Sequence, residues 1–290
     1  MIPSKFEYFA PASLAEAVSL LSKYQEEAKP LAGGQSLISL LKLRLASLKY
    51  LVDLAGIAEL NYIREEGAGP SGTISLGALT TYAQIKESKL LQSKCPLLPQ
   101  TASVVGDVQV RNRGTLGGSL AHADPAGDMP AAILALKAEL KAVGPQGERW
   151  IQADDFFLGM METALSPDEI LSEIRVPVWP GHKTIYRKAA RRPSDFAMVG
   201  IALCLKAGDD QTCEEISIGV TGVTDKPYRA EETEKRLRGK KLEPKIIEEA
   251  ASAITEGVDV MENMHASQDF RSHLARVYVS RAIAAAGIRS

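Results

Sequence analysis

Arg111-Asn112-Arg113-Gly114-Thr115-Leu116-Gly117-Gly118-Ser119-Leu120-Ala121-His122-Ala123-Asp124-Pro125-Ala126-Gly127-Asp128-Met129-Pro130 is the stretch on which the reading of this chain turns. A basic run leads into a small-residue turn, Thr115 to Ser119, and then into a polar, acidic loop broken by proline. Gly117 and Gly118 lack a β-carbon, so the backbone there can take positive φ and let a ligand approach its N–H groups. Thr115 and Ser119 add hydroxyls on either side. Successive backbone N–H groups of this kind form a concavity suited to phosphate or pyrophosphate. Asp128, acceptor-only when ionised, has the chemistry for a pair of ribose hydroxyls. The same residues also describe a tight turn between core elements with Asp124 and Asp128 solvated, and the stretch alone leaves both readings open.

Working outward, 290 residues suffice for two domains or one large one. A hydrophobic fraction of 45% with 24% charged residues describes an ordinary globular protein. A net charge of −2 gives no reason to expect nucleic acid or an anionic membrane. No apolar run reaches the length of a membrane span and the N-terminus has no signal-peptide core, so a cytoplasmic location is expected. Cys95, Cys204 and Cys213 are widely spaced and lie in no CxxC pattern. That argues against a disulfide framework and against an iron–sulfur cluster held by this chain alone.

Upstream, Phe6 and Tyr8 mark a short strand, and Ser13 with Glu16 forms a capping box before a helix bearing Leu14, Ala17, Val18 and Leu21. Lys29 to Ser36 reads as a strand entering a second Gly-Gly turn, with Ser36 a candidate N-cap for an apolar helix. Tyr50 to Leu54 then closes a β-α-β unit. Neither GxGxxG nor GxxxxGK[ST] is present. Two Gly-Gly turns flanked by hydroxyl residues suit one extended anion carrying two phosphates. Gly67 to Gly72 is expected to be a turn between strands around Ile63 and Ile74–Leu76.

Downstream, the spacing predicts strands over Glu139–Val143, Arg149–Gln152 and Glu169–Val176. Beyond a boundary near Pro177 it predicts strands over Thr184–Lys188, Val199–Lys206 and Ile216–Val220. Helices follow over Ala230–Arg238, Pro244–Thr255 and Gln268–Ala286. The domains expected are 1–177, with subdomains of about 1–55 and 56–177, and 178–290.

Conventional catalytic arrangements are missing. Ser119, His122 and Asp124 lie too close in sequence for a triad whose members converge from separate elements. GxSxG and HExxH are absent, and Ser39-Leu40-Leu41-Lys42 matches SxxK inside an apolar helix. Two phosphate-friendly turns without an evident acid, base, nucleophile or metal centre fit a cofactor that carries its own reactivity.

Ala32-Gly33-Gly34-Gln35-Ser36, Gln109 to Ser119 and Ala121 to Pro125 together resemble the FAD-binding medium subunit of molybdenum hydroxylases, the carbon monoxide dehydrogenase and xanthine dehydrogenase family. The likeness extends through Ala153-Asp154-Asp155-Phe156-Phe157 and Arg191 to Ala197, and is nearest to the carbon monoxide dehydrogenase medium chain type. It implies an α+β architecture: a two-subdomain FAD-binding fold of the vanillyl-alcohol-oxidase type, then a C-terminal three-stranded sheet with a helical bundle. It also implies that Pro30, Leu31, Ala32, Gly33, Gly34, Gln35, Ser36 and Leu37, with Thr115, Gly117, Gly118 and Ser119, bind the FAD, Ala32 to Ser36 and Thr115 to Ser119 at its pyrophosphate. Asp128 would contact the flavin nucleotide and Leu165 would lie beside the flavin ring. Lys188 would reach its pyrimidine end, with Arg187 the open alternative. Neither a catalytic residue nor a metal ligand on this chain is implied. Molybdenum cofactor and [2Fe–2S] centres would sit on a large and a small partner subunit, in a dimer of heterotrimers. The expected function is electron transfer from those centres through FAD to an external acceptor; the rival is a nucleotide-binding scaffold without redox activity.

Overall fold

The computed structural model describes residues 2–67 and 72–287. Four residues of the expected Gly67–Gly72 turn, 68–71, lie outside the described residues.

The N-terminal elements are β1 (Glu7–Phe9), α1 (Leu14–Tyr24), β2 (Ala28–Leu31), α2 (Leu37–Leu43) and β3 (Tyr50–Asp53). Ser13 Oγ accepts from Glu16 N and so caps α1, but Glu16 Oε2 accepts from Ala12 N, one residue before the N-cap, so the reciprocal half of the expected capping box is not made. Both pairings of the sheet β1-β3-β2 are parallel, and α2 is the crossover of the anticipated β-α-β unit. Ala17, Val18 and Leu21 of α1 are buried with Ala28 and Val52, which closes one face of this small sheet.

A second sheet follows. Its strands are β4 (Ile63–Glu66), β5 (Thr73–Gly77), β6 (Glu139–Gly144), β7 (Gly147–Gln152) and, after two short strands, β10 (Ile170–Pro177). All pairings in the order β4-β5-β10-β6-β7 are antiparallel. Between β5 and β6 lie α3 (Tyr82–Glu87), α4 (Lys89–Lys94), α5 (Leu97–Ser103), α6 (Val108–Arg113), α7 (Leu116–His122) and α8 (Asp128–Ala135). Between β7 and β10 come α9 (Ala153–Phe156) and the hairpin of β8 (Phe157–Gly159) and β9 (Glu162–Thr163).

The third sheet is β11 (Lys183–Ala189), β12 (Val199–Ala207), β13 (Cys213–Thr221) and β14 (Tyr228–Arg229), wholly antiparallel and in sequence order. Three long strands were expected; the two-residue β14 adds a fourth at the edge, too short for hydrophobic periodicity to signal. Helices α10 (Glu231–Leu237), α11 (Pro244–Ala251) and α12 (Gln268–Gly287) complete the chain.

Helix α8 ties the sheets together. Every residue from Asp128 to Ala135 is buried, as a helix apolar on all sides requires. One side packs into the core shared with Leu76, Leu140 and Ile174, the other on the third sheet. A Cβ at Gly219 of β13 would overlap the Ala131 carbonyl, so glycine there permits the close helix–strand approach. The N-terminal end of α8 carries Asp128 to the junction of the sheets.

Candidate functional site

A cleft of about 450 Å³ runs between the first sheet, helix α7 and the start of the third sheet. Its first wall is the segment after β2. Pro30 and Leu31 close the strand, and the chain then turns at Ala32, Gly33 and Gly34 before α2 begins at Leu37. Gly34 has φ +74°, a conformation that favours glycine. Ser36 stands at the expected N-cap position of α2, but with φ −97°, ψ −57° and no side-chain cap bond. Among the described residues, the N–H groups of Gly33, Gly34, Gln35 and Ser36 have no partner within the chain. Four consecutive unpaired amides at one rim of a cleft are an anion-binding device.

Thr115 to Ser119 forms the second wall in a different way from the expected turn. Thr115 is the N-cap of α7, accepting from Gly118 N through Oγ1 at 3.2 Å, and Leu116 to His122 is helical. The amides of this segment are engaged: Leu116 N donates to Thr80 O, Gly117 N to Ala78 O and Ser119 N to Thr115 O. Neither Gly117 nor Gly118 takes positive φ. These glycines serve close packing. A Cβ at Gly117 would overlap Ala78, and one at Gly118 would crowd Thr115 Oγ1 and Ala32 Cβ. Gly33 is the counterpart on the first wall, since a Cβ there would overlap the Arg113 carbonyl. The two Gly-Gly motifs therefore abut, and absence of side chains lets both line the same space. The basic run before them is the helix α6, where Arg111 donates to Val105 O and Gly106 O instead of facing a ligand.

Asp128 stands at the cleft's inner end, 6% exposed, with both carboxylate oxygens engaged. Tyr186 Oη donates to Oδ1 at 2.6 Å and Lys188 Nζ to Oδ2 at 2.8 Å. Burial pushes the Asp128 carboxyl above its ordinary value, and the charge and hydrogen bond of Lys188 with that of Tyr186 pull against it. Burial beside Asp128 likewise raises the Tyr186 phenol. Strand alternation puts Tyr186 and Lys188 on one side of β11 and leaves Arg187 exposed on the other, so of Arg187 and Lys188 it is Lys188 that lines the cleft. Asp124 Oδ1 instead accepts from Ala126 N and braces the loop before α8.

Leu165 reaches the cleft from the segment after β9. Arg149 on β7 holds that segment in place by donating to Ala164 O at 2.6 Å and to both oxygens of Glu169. The structure thus brings every expected site residue from Pro30 to Leu37, Thr115, Gly117, Gly118, Ser119, Asp128, Leu165 and Lys188 to one cavity.

Comparison with known families decides the assignment. Residues 4–179 match the family described as FAD binding domain in molybdopterin dehydrogenase, and residues 184–286 match the CO dehydrogenase flavoprotein C-terminal domain. The chain belongs to the flavoprotein subunits of the molybdopterin dehydrogenases. It is 39% identical over 290 residues to the carbon monoxide dehydrogenase medium chain of Hydrogenophaga pseudoflava, covering 100% of this chain and 99% of that one. Over 282 residues it is 38% identical to the glyceraldehyde dehydrogenase medium chain of Sulfolobus acidocaldarius, covering 97% and 98%. The solved carbon monoxide dehydrogenase of Hydrogenophaga pseudoflava superposes with a TM-score of 0.95 at 40% identity, covering 99% of this chain and 98% of that one.

The cofactor of this flavoprotein subunit is FAD, and the cleft has the chemistry to take it. Uncommitted amides at Gly33–Ser36 suit the pyrophosphate, apolar walls such as Leu37, Leu79 and Val110 suit the rings, and Lys188 supplies a cation at the inner end. Sequence reasoning missed Tyr186, the Arg149–Glu169 brace, and Tyr82, which packs against Gly114 and is pushed up by burial to about 12. It also missed Ser194, Asp195 and Phe196 as lining residues, although their segment had contributed to the family resemblance. Strand period-2 alternation before Lys188 was the signal that could have found Tyr186.

Proposed function

We propose that this flavoprotein subunit carries electrons between a partner chain bearing [2Fe–2S] centres and an external acceptor. In this reading the substrate is oxidised at a molybdenum cofactor on a large partner subunit, and the iron–sulfur centres sit on a small one. Two such trios assemble as a dimer. The medium-chain names of the relatives support the subunit arrangement. The observation that carries the reading is the cleft itself: an anion-ready amide row at one end and a buried Lys188–Asp128–Tyr186 group at the other. Bound FAD supplies redox chemistry that the chain's own side chains lack.

The chain's residues divide the work. Gly33 to Ser36 bind the pyrophosphate; Thr115, Gly117, Gly118 and Ser119 shape the opposite wall; Leu165 packs on the ring. Lys188, held by Asp128, places a fixed positive charge where negative charge would gather on reduction. Domains 1–177 and 178–290, the first split near residue 55, follow the three sheets. Three buried thiols, Cys95, Cys204 and Cys213, suit the cytoplasm. No helix among the described residues is long and apolar enough to cross a membrane.

The test is reconstitution. Flavin on the isolated chain should stay oxidised when the complex's substrate is added and become reduced once both partners are present. A flavin that stays oxidised in the complete, molybdenum-loaded complex would favour the scaffold reading.

A further inference from the structure

Arg271, on α12, is 2% exposed, and among the described residues no acidic side chain pairs with it. Its Nη1 donates to Met198 O at 2.8 Å and to Gly222 O at 2.5 Å, while its Nε has no partner. A buried guanidinium neutralised only by carbonyl dipoles is costly, so the contacts it makes are specific ones. Met198 precedes β12 and Gly222 follows β13. Arg271 therefore clamps two strand ends that arrive side by side.

Those strand ends hold the loop that presents Asp128. Gly222 N donates to Pro125 O at 2.7 Å, and Ala197 N donates to Ala126 O at 3.4 Å. Thr221 Oγ1 lies 2.7 Å from Pro125 O and 2.8 Å from Gly127 O. Gly127 is the N-cap of α8, and Asp128 follows it. Ser194, Asp195 and Phe196, just before the clamped segment, line the cleft. Gly222, at φ +79°, cannot carry a side chain without meeting the Met198 and Ala197 carbonyls, so the pinch is built into the backbone.

We propose that Arg271 is a positioning residue for the flavin cleft: from the far side of the third sheet it fixes the 125–128 loop and the 194–198 segment in the geometry that receives FAD. The inference rests on the reading that the cleft holds FAD.

The test uses the full chain freed of flavin. Arg271→Lys keeps the charge but loses the planar Nη1 group that donates to both carbonyls; Arg271→Gln keeps a donor and drops the charge. Both should raise the FAD dissociation constant about tenfold or more, as expected for loss of site geometry rather than of a direct contact. Both should also blur the vibronic structure of the bound flavin's long-wavelength band, and should speed hydrogen exchange at the Ala197 and Gly222 amides. Val279→Ala, which opens a cavity elsewhere under α12, is the stability control: it should lower the unfolding midpoint and leave FAD affinity unchanged. If FAD does not bind the unmodified chain, the functional reading fails and not this inference alone. FAD binding by the unmodified chain with equal affinity in a folded Arg271 variant overturns the inference. So does a Val279→Ala affinity loss as large as theirs. Should Arg271→Lys fail to fold, Arg271→Gln decides by the same comparison. Should neither fold, Thr221→Val, which cuts the next link to the loop, must weaken FAD binding, and full affinity in it overturns the inference.

Discussion

Lys188 Nζ and Asp128 Oδ2 lie 2.8 Å apart, with side chains 7% and 5% exposed, and join β11 to the start of α8 inside the cleft. Such a pair contributes little net stability, since desolvation offsets the attraction, but removing one partner strands a buried charge. Its value is positional: it fixes a cation where the cofactor binds.

Lys188→Ala should therefore destabilise the flavin-free chain by about 3–5 kcal/mol near neutral pH, whereas Arg187→Ala, at an exposed position, should stay within about 0.5 kcal/mol. The sign with pH follows from Asp128. Its folded value is already raised by burial, and losing Lys188 raises it further. A raised carboxyl favours the folded state below its unfolded value of about 3.9 and loses that contribution as pH rises through the folded value. The penalty for Lys188→Ala should thus be larger at about pH 8 than at about pH 5, read from urea midpoints. An equal penalty at both, or a larger one for Arg187→Ala, would overturn the assignment.

The abutting glycines give a second expectation. Gly33→Ala puts a methyl into the Arg113 carbonyl and must push the first wall off the second, and Gly117→Ala puts one into Ala78 and must shift the start of α7. Each should purify folded but with its flavin content sharply reduced. Gly56→Ala, whose added methyl meets only ordinary contact with the Pro11 carbonyl, should retain full flavin. Full flavin in either cleft variant would remove these two segments from the site.

Which parts of this were legible in the sequence follows from the physics of each segment. The β-α-β unit and the strands of the second and third sheets were readable because apolar periodicity and Gly-Pro punctuation are local. The segment Thr115–Ser119 was misread as a turn because Gly-Gly signals backbone freedom equally well when its purpose is close helix packing. What shows the difference is Ala78, a residue distant in sequence whose carbonyl takes the Gly117 amide. Asp128 was picked out with its partners unknown, since Tyr186 and Lys188 come from 58 and 60 residues away. Lys188 could be separated from Arg187 only once β11 had a buried side.

The Arg149–Glu169 brace gives a prediction in acid. Hydrogen bonds from Arg149 hold the Glu169 carboxyl below its ordinary value, helped by the Ser166 amide. A lowered carboxyl stabilises above its unfolded value of about 4.3 and loses that contribution as pH falls through the folded value. Glu169→Gln should therefore be less stable than the parent near neutral pH, with the gap closing below about pH 4. Because the brace positions the segment bearing Leu165, the variant should also bind FAD more weakly at neutral pH. A gap that widens in acid would contradict the assignment.

The central claim is that FAD is this chain's own redox group and that electrons reach it from a partner. Quantifying flavin, iron and molybdenum in the chain expressed alone, then adding the complex's substrate, tests that claim most directly. One FAD per chain, no iron, no molybdenum and no bleaching by substrate until the partner subunits are added is the result expected. Stoichiometric iron in the isolated chain, or reduction of its flavin by substrate without partners, would contradict it.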